Sequence, residues 1–473
     1  MQSDADSARA IVVRKSPCVL PGCRGVAKLA RMKSPRLLLL ALLSALASVA
    51  PGEAVKDREG AVRKDRAMME KDARWIYGDW ERGFAEAKRA GKPLLVALRC
   101  VPCLACAGID SQVLLQDDDL APLLDQFVCV RVINANALDL PLFQFDYDLS
   151  FSTLFFNGDG TVYGRYGSWR HQRDPQDKTT EGFKRALESV LAIHRGYPAN
   201  RGALAGKQGG PTPFKTPIEI PALAGKYPFA LNWEGKVVQS CVHCHQVGDA
   251  FRTAFREKGE PIPAELIYPM PAPETLGFTL AANQPARVES VDPRSIAGRA
   301  GVLTGDDLLS VGGQPLVSSA DVSWALHHAP ESGTISAVVR RGNTEKSVSL
   351  ELPPGWRMKS DISKRVGTWP MRGMALGGLV LEDLADEERT LRGIESRKMA
   401  LFVKSVGQYG RHAAAKKAGF QKEDVIVEMD GLSSRMTEGE LIGRLLRKHP
   451  AGEKVSAVVQ RGPQQVRLTL PMQ

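Results

Sequence analysis

The feature that most restricts this chain is an internal repeat: AGVLTGDDLLSVGG, from Ala300 to Gly313, returns as AGFQKEDVIVEMDG, from Ala418 to Gly431. Each copy later ends in a strand and turn, VVRRG from Val338 and VVQRG from Val458. The copies start 118 residues apart (418 − 300), whereas solenoid repeats recur at roughly 20 to 50 residues. Two domains of one kind are therefore expected. A chain of 473 residues exceeds one hydrophobic core and, at about 100 to 200 residues per domain, should hold about three or four.

The N-terminal stretch reads as an export signal. Lys33 and Arg36 precede an apolar run from Leu37 to about Val49, with small residues at Ala50 and Ala54. The run is short of the roughly 20 residues that span a bilayer, and Pro51-Gly52 stops it, so no permanent membrane span is expected. The signal begins naturally at Met32, so residues 1–31 are expected to be an upstream translation artefact or an unusually long basic leader. Residues 1–54 hold eight Lys/Arg and three Asp/Glu, so removing them takes the net charge from +10 to +5. That balance gives no reason to expect nucleic-acid binding.

Residues 55–73 are charged without an apolar stripe, which suggests a solvated helix or tether. Over 74–198, a helical pattern from Trp80, a Gly91-Lys92-Pro93 break and the apolar run Leu94 to Leu98 lead to Cys100. A helical stretch VLLQDDDLAPLLDQ, a strand FVCVRVI, a hairpin around Gly158-Asp159-Gly160 and a closing helix EGFKRALESVLAIH follow. Alternating strands and helices predict an α/β sandwich. Residues 199–231 are dense in Pro and Gly and read as a linker or a wrapping segment.

CVHCH, in the segment 232–272, is the sharpest motif. Cys241 and Cys244 have the spacing that adds across two haem vinyl groups, with His245 left to ligate the iron. A zinc site or a Cys241–Cys244 disulfide are the alternatives. Met270, in the Pro-flanked YPMPAP, is the candidate sixth ligand of a covalent haem c, and His243 is assigned no role.

KPLLVALRCVPC, followed by helix, strand, FSTLFF and a Gly-Asp-Gly turn, resembles the thioredoxin superfamily over about 120 residues. The resemblance implies that Cys100 attacks a disulfide and Cys103 resolves it, a helix N-terminus lowering the thiol pKa. Arg99 stands where that family has Trp, and Ser152 where it has a cis-Pro. Cys106 extends the run to C-x-x-C-x-x-C, which leaves structural disulfide and metal binding open beside exchange.

The repeat resembles PDZ domains of the bacterial kind, at 273–355 and 375–473 with a connector at 356–374. Leu276-Gly277-Phe278 and Gly377-Gly378-Leu379 stand where such loops present N–H groups to a peptide's terminal carboxylate, the peptide adding as a strand. The second copy departs by placing Glu423 where the first has Gly305. Bacterial PDZ pairs often follow a serine protease, but no G-x-S-G-G segment is present.

The expectation is a multidomain α/β plus α+β chain: a thioredoxin-like sandwich, a short haem-binding helical segment and two PDZ-like, partly open β-barrels. Its expected role is an exported redox or electron-transfer protein of the periplasm or cell envelope. Haem c would be its cofactor, protein C-termini and a redox partner protein its partners. A non-catalytic PDZ scaffold is the competing expectation.

Overall fold

The computed structural model describes residues 57–101, 120–149, 151–167, 180–363 and 365–473. The leader and signal (1–54), Cys103 and Cys106 lie outside them. No helix among the described residues is long and apolar enough to cross a membrane.

The first sheet has the order β1-β3-β2-β4-β5, from β1 (Trp75–Tyr77), β2 (Leu94–Arg99), β3 (Val128–Val132), β4 (Phe151–Phe156) and β5 (Val162–Tyr166). β1 and β2 run parallel to β3, and β4 runs antiparallel to β2 and β5. Because strand side chains alternate between faces, this central sheet fills two cores. Leu95, Ala97, Cys129 and Phe155 face one side with α3 (Thr180–Arg195), while Leu94, Val96, Val130, Leu154 and Phe156 face the other. Asp79 caps α2 (Trp80–Ala90), its carboxylate accepting from the Arg82 N–H at 2.8 Å, and Gly91 ends it in a left-handed conformation.

A segment expected to be a solvated helix or tether is partly packed, and the Pro/Gly-rich stretch takes the wrapping rather than the linker alternative. Residues 58–69 form α1 (Arg58–Met69), which buries Val62, Asp65 and Met69. Arg58, Arg63 and Lys64 stay exposed, but Asp65 is buried in a pair with Arg131 of β3, itself 0% exposed. The Pro/Gly-rich stretch after α3 wraps the sheet, with Ile220 and Leu223 entering the second core. Burial of Lys207 against Asp321, 2.8 Å away, ties the same stretch to the next domain.

That domain has a sheet β11-β10-β8-β9 and a separate ribbon β6-β7, formed by β6 (Phe278–Leu280), β7 (Val288–Val291), β8 (Asp307–Val311), β9 (Gln314–Pro315), β10 (Gly333–Arg341) and β11 (Thr344–Leu352). The C-terminal sheet, β12-β13-β14-β15-β16, comprises β12 (Leu379–Asp383), β13 (Leu401–Val406), β14 (Val425–Met429), β15 (Lys454–Arg461) and β16 (Gln464–Pro471). These are open sheets, with no closed barrel among the described residues. The ribbon β6-β7 meets the larger sheet at an antiparallel bridge between Arg287 and Asp307, flanked by hydrogen bonds from Val288 N–H to the Asp306 carbonyl at 2.8 Å and from Leu308 N–H to the Ala286 carbonyl at 3.0 Å.

The repeat is visible as chemistry. Arg341 donates to both carboxylate oxygens of Asp306 at 2.7 Å and to the Gly301 carbonyl at 2.8 Å. Arg461 donates to Asp424 at 2.7 and 2.8 Å and to the Gly419 carbonyl at 2.8 Å. Each aspartate is 1% exposed and also accepts a backbone N–H from three residues upstream.

Candidate functional site

Cys100 lies immediately beyond β2, and the β2–β4 register pairs Leu98 with Ser152 and Arg99 with Phe151. Ser152 is thus beside the end of β2. Arg99 is buried and its guanidinium donates to the Cys100 carbonyl. The implied resolving residue, Cys103, lies outside the described residues.

CVHCH is brought to this strand end. Cys100 Sγ lies 2.9 Å from His243 Nδ1, a contact between residues 143 apart in sequence. The segment is held from below by Asn136. Its amide donates to the Ser240 and Pro228 carbonyls at 2.7 Å, and its oxygen accepts the Val242 N–H at 2.7 Å. Ala135 N–H adds a bond to the Val242 carbonyl at 3.0 Å. His243 then caps α4 (Cys244–Glu257), its own N–H donating to the Gln246 side chain at 2.8 Å.

Burial, with smaller contributions from His245 and Arg58, pushes the His243 imidazole down to about 4. The ring is therefore neutral near pH 7 and able to accept a proton from a thiol. If Nδ1 is the acceptor, Nε2 carries the hydrogen. Burial pushes the Cys241 thiol up, and nearby Cys100 adds to that. His243 was missed by sequence reasoning; no local pattern links it to a strand 143 residues away.

The other expected ligands are not assembled as a haem site. Cys241 is 5% and Cys244 8% exposed, and Cys244 packs with Val242, Val247 and Ala250 in the second sheet core. His245 Nδ1 is buried without a hydrogen bond, 3.8 Å from Asp249, yet its ring stacks on His243 with centroids 5.8 Å apart. Met270, with φ of 45°, lines a different cavity of about 50 Å³. Ser152, Tyr166, Leu280 and Ser323 also line that cavity, but neither cysteine of CVHCH nor His245 does. Ligand pockets run to about 300–1,000 Å³. As arranged, these residues do not fit a haem: a macrocycle lying across both sulfurs would require the segment and α4 to lift from the sheet core. Among the described residues, no group of three or more His, Cys, Asp or Glu side chains could hold a metal ion.

The residues expected to form peptide loops sit in two corresponding turns. Leu276 is buried, Gly277 takes φ of 87° and Phe278 opens β6; Gly377 and Gly378 take φ of 57° and 90° before Leu379 opens β12. A Cβ on Gly277 would meet Ser295 at 2.1 Å, which is why the turn needs glycine there. The helix facing β6, α5 (Ser319–His327), packs on the first sheet. Asp321 accepts the Arg165 N–H of β5 at 3.1 Å, and the Arg165 guanidinium stacks 3.4 Å from the Trp324 ring. The connection is closest at Gly164, where a Cβ would meet Val317 at 2.3 Å.

A family model described as thioredoxin-like matches residues 75–158, and one described as PDZ domain matches residues 275–352. No curated protein matches the chain. Among solved structures, the HtrA3 PDZ domain bound to a phage-derived ligand (FGRWV) is 32% identical over 14% of this chain and 60% of that one, with a TM-score of 0.13. The HtrA-type protease AlgW with decapeptide is 16% identical over 41% of this chain and 46% of that one, with a TM-score of 0.19. The chain thus spans less than two thirds of either structure, and the proteolysis belongs to AlgW. With the sheet order, the alternating cores and these two matches together, the chain carries a thioredoxin-like domain followed by a PDZ domain.

Proposed function

We propose that the protein is an exported thiol–disulfide exchange protein of the cell envelope that holds its protein clients by their C-termini. The carrying observation is the 2.9 Å approach of His243 Nδ1 to Cys100 Sγ. A neutral imidazole in that place takes the thiol proton as the sulfur attacks, because the thiolate and not the thiol is the nucleophile. The attacked client disulfide divides: one sulfur bonds to Cys100, and the other leaves as a thiol carrying the proton. A second thiol must then displace the client from Cys100.

Client binding rests on the PDZ domain, with Leu276, Gly277 and Phe278 as its carboxylate loop and β6 as the strand to which a peptide adds. We read the C-terminal unit as a second, PDZ-like module on the strength of its repeated Gly–Asp–Arg constellation. A partner dithiol protein would return the oxidised site to its thiol state. An oxidising compartment suits this chemistry, in keeping with the export signal.

The test is insulin reduction by dithiothreitol-regenerated protein, comparing wild type with Cys100→Ser. Exchange at Cys100 requires wild type to exceed the variant clearly. Equal rates would leave a PDZ scaffold whose first domain is not catalytic.

A further inference from the structure

We propose that Cys241 of CVHCH is the thiol that resolves Cys100, the two closing a disulfide between the thioredoxin-like sheet and the segment leading into α4. The inference rests on the thiol-exchange reading above and names its second sulfur.

Three observations converge on it. Cys241 and His243 both have extended backbone, at φ −94°, ψ 124° and φ −80°, ψ 144°. Residues two apart in extended chain point to the same side, and the residue between them to the other. Val242, between them, enters the second sheet core, so Cys241 shares the side from which His243 reaches Cys100. The strand register agrees: Cys241 Sγ lies 3.8 Å from the Ile133 carbonyl, and Ile133 directly follows Val132, the β3 partner of Leu98. Cys100 stands two residues after Leu98, just past the end of the neighbouring strand. The Asn136 bonds to Ser240, Val242 and Pro228 then hold the segment in place, so its order is already established before any client arrives. The upward push that Cys100 exerts on the Cys241 thiol accords with their proximity.

The chemistry balances without another reagent. Cys100 sulfur attacks the client disulfide and becomes a mixed disulfide, releasing one client thiol. Cys241 sulfur then attacks the Cys100 sulfur, the Cys100–client bond breaks, and the second client thiol leaves with the Cys241 proton. Two protein thiols are oxidised and one client disulfide is reduced to two thiols. Two-thioether haem attachment would consume the same sulfur, so the two fates of Cys241 exclude each other.

The experiment uses the full mature chain, reduced, then exposed to a limiting amount of a peptide disulfide, alkylated, and mapped by non-reducing peptide mass spectrometry. Expected are a Cys100–Cys241 crosslink in wild type and, in Cys241→Ser, a Cys100–peptide mixed disulfide that persists at least about tenfold longer. Wild-type mapping needs no variant to fold. A crosslink between Cys100 and Cys103 or between Cys241 and Cys244, or a tetrapyrrole on Cys241, overturns the assignment while leaving exchange at Cys100 intact. If wild type forms no mixed disulfide and no crosslink, both the assignment and the exchange reading fail.

Discussion

Cys100 and His243 meet sulfur to nitrogen at 2.9 Å, although one ends a strand of the first domain and the other caps a helix beyond the wrapping segment. If His243 is the proton acceptor, His243→Ala should slow alkylation of Cys100 by iodoacetamide at pH 7 at least about tenfold, since positioned general bases contribute about 10²–10⁴-fold. Peptide mass spectrometry of the Cys100 peptide reads the rate. An unchanged rate would assign the ring to capping alone.

Arg365 lies between Asp146 and Asp148, donating to Asp148 at 2.9 Å and pairing with Asp146, all three being under a tenth exposed. It joins the connector to the loop after β3. Removing one partner leaves the other charges buried without compensation, a loss of about 3–5 kcal/mol. Arg365→Met should lower the urea midpoint accordingly. A loss under about 1 kcal/mol would show that water reaches the aspartates once the guanidinium is gone.

Glu423 occupies φ of 74° where the first copy of the repeat has Gly305 at 88°. A side chain in the left-handed region costs roughly 1–2 kcal/mol, partly offset by glycine's greater freedom in the unfolded chain. Glu423→Gly is therefore expected to stabilise the protein by up to about 1 kcal/mol, and Gly305→Ala to destabilise it. Thermal denaturation of both variants provides the check.

His449 sits between two carboxylates, with Nε2 2.9 Å from Asp430 and Nδ1 2.7 Å from Glu453. Burial disfavours the imidazolium, but the hydrogen bonds to Asp430 and Glu453 outweigh it and hold the group above its ordinary value. A raised folded-state pKa stabilises fully below the unfolded value of about 6.5, and that stability is lost as pH rises through the folded value. The stability gap between wild type and His449→Gln should be largest near pH 5.5 and shrink by pH 9, as measured by urea unfolding. A gap that widens with pH would refute the charged-state assignment.

Much of the first domain was legible because its signals are local. The apolar run Leu94 to Leu98, the Gly158-Asp159-Gly160 hairpin and the helix ending near His194 follow from side-chain period and turn chemistry, and each appears where expected. The repeat was legible for the same reason, down to the Asp and Arg that recur in each copy. Charge and missing periodicity misled elsewhere. α1 reads as solvated until Arg131 supplies a buried partner for Asp65, and the Pro/Gly-rich segment reads equally as linker or wrap until a sheet face receives Ile220 and Leu223.

By itself, then, the sequence determined the kinds of module and the positions of their cysteines, because strand and helix periods, turns and ligand spacing are written within a few residues of one another. Only the tertiary structure decided that His243 reaches Cys100 at the end of β2 while Cys244 enters the core. That contact is set by how α4 and Asn136 seat an extended segment against a sheet more than a hundred residues earlier, and no local pattern encodes it.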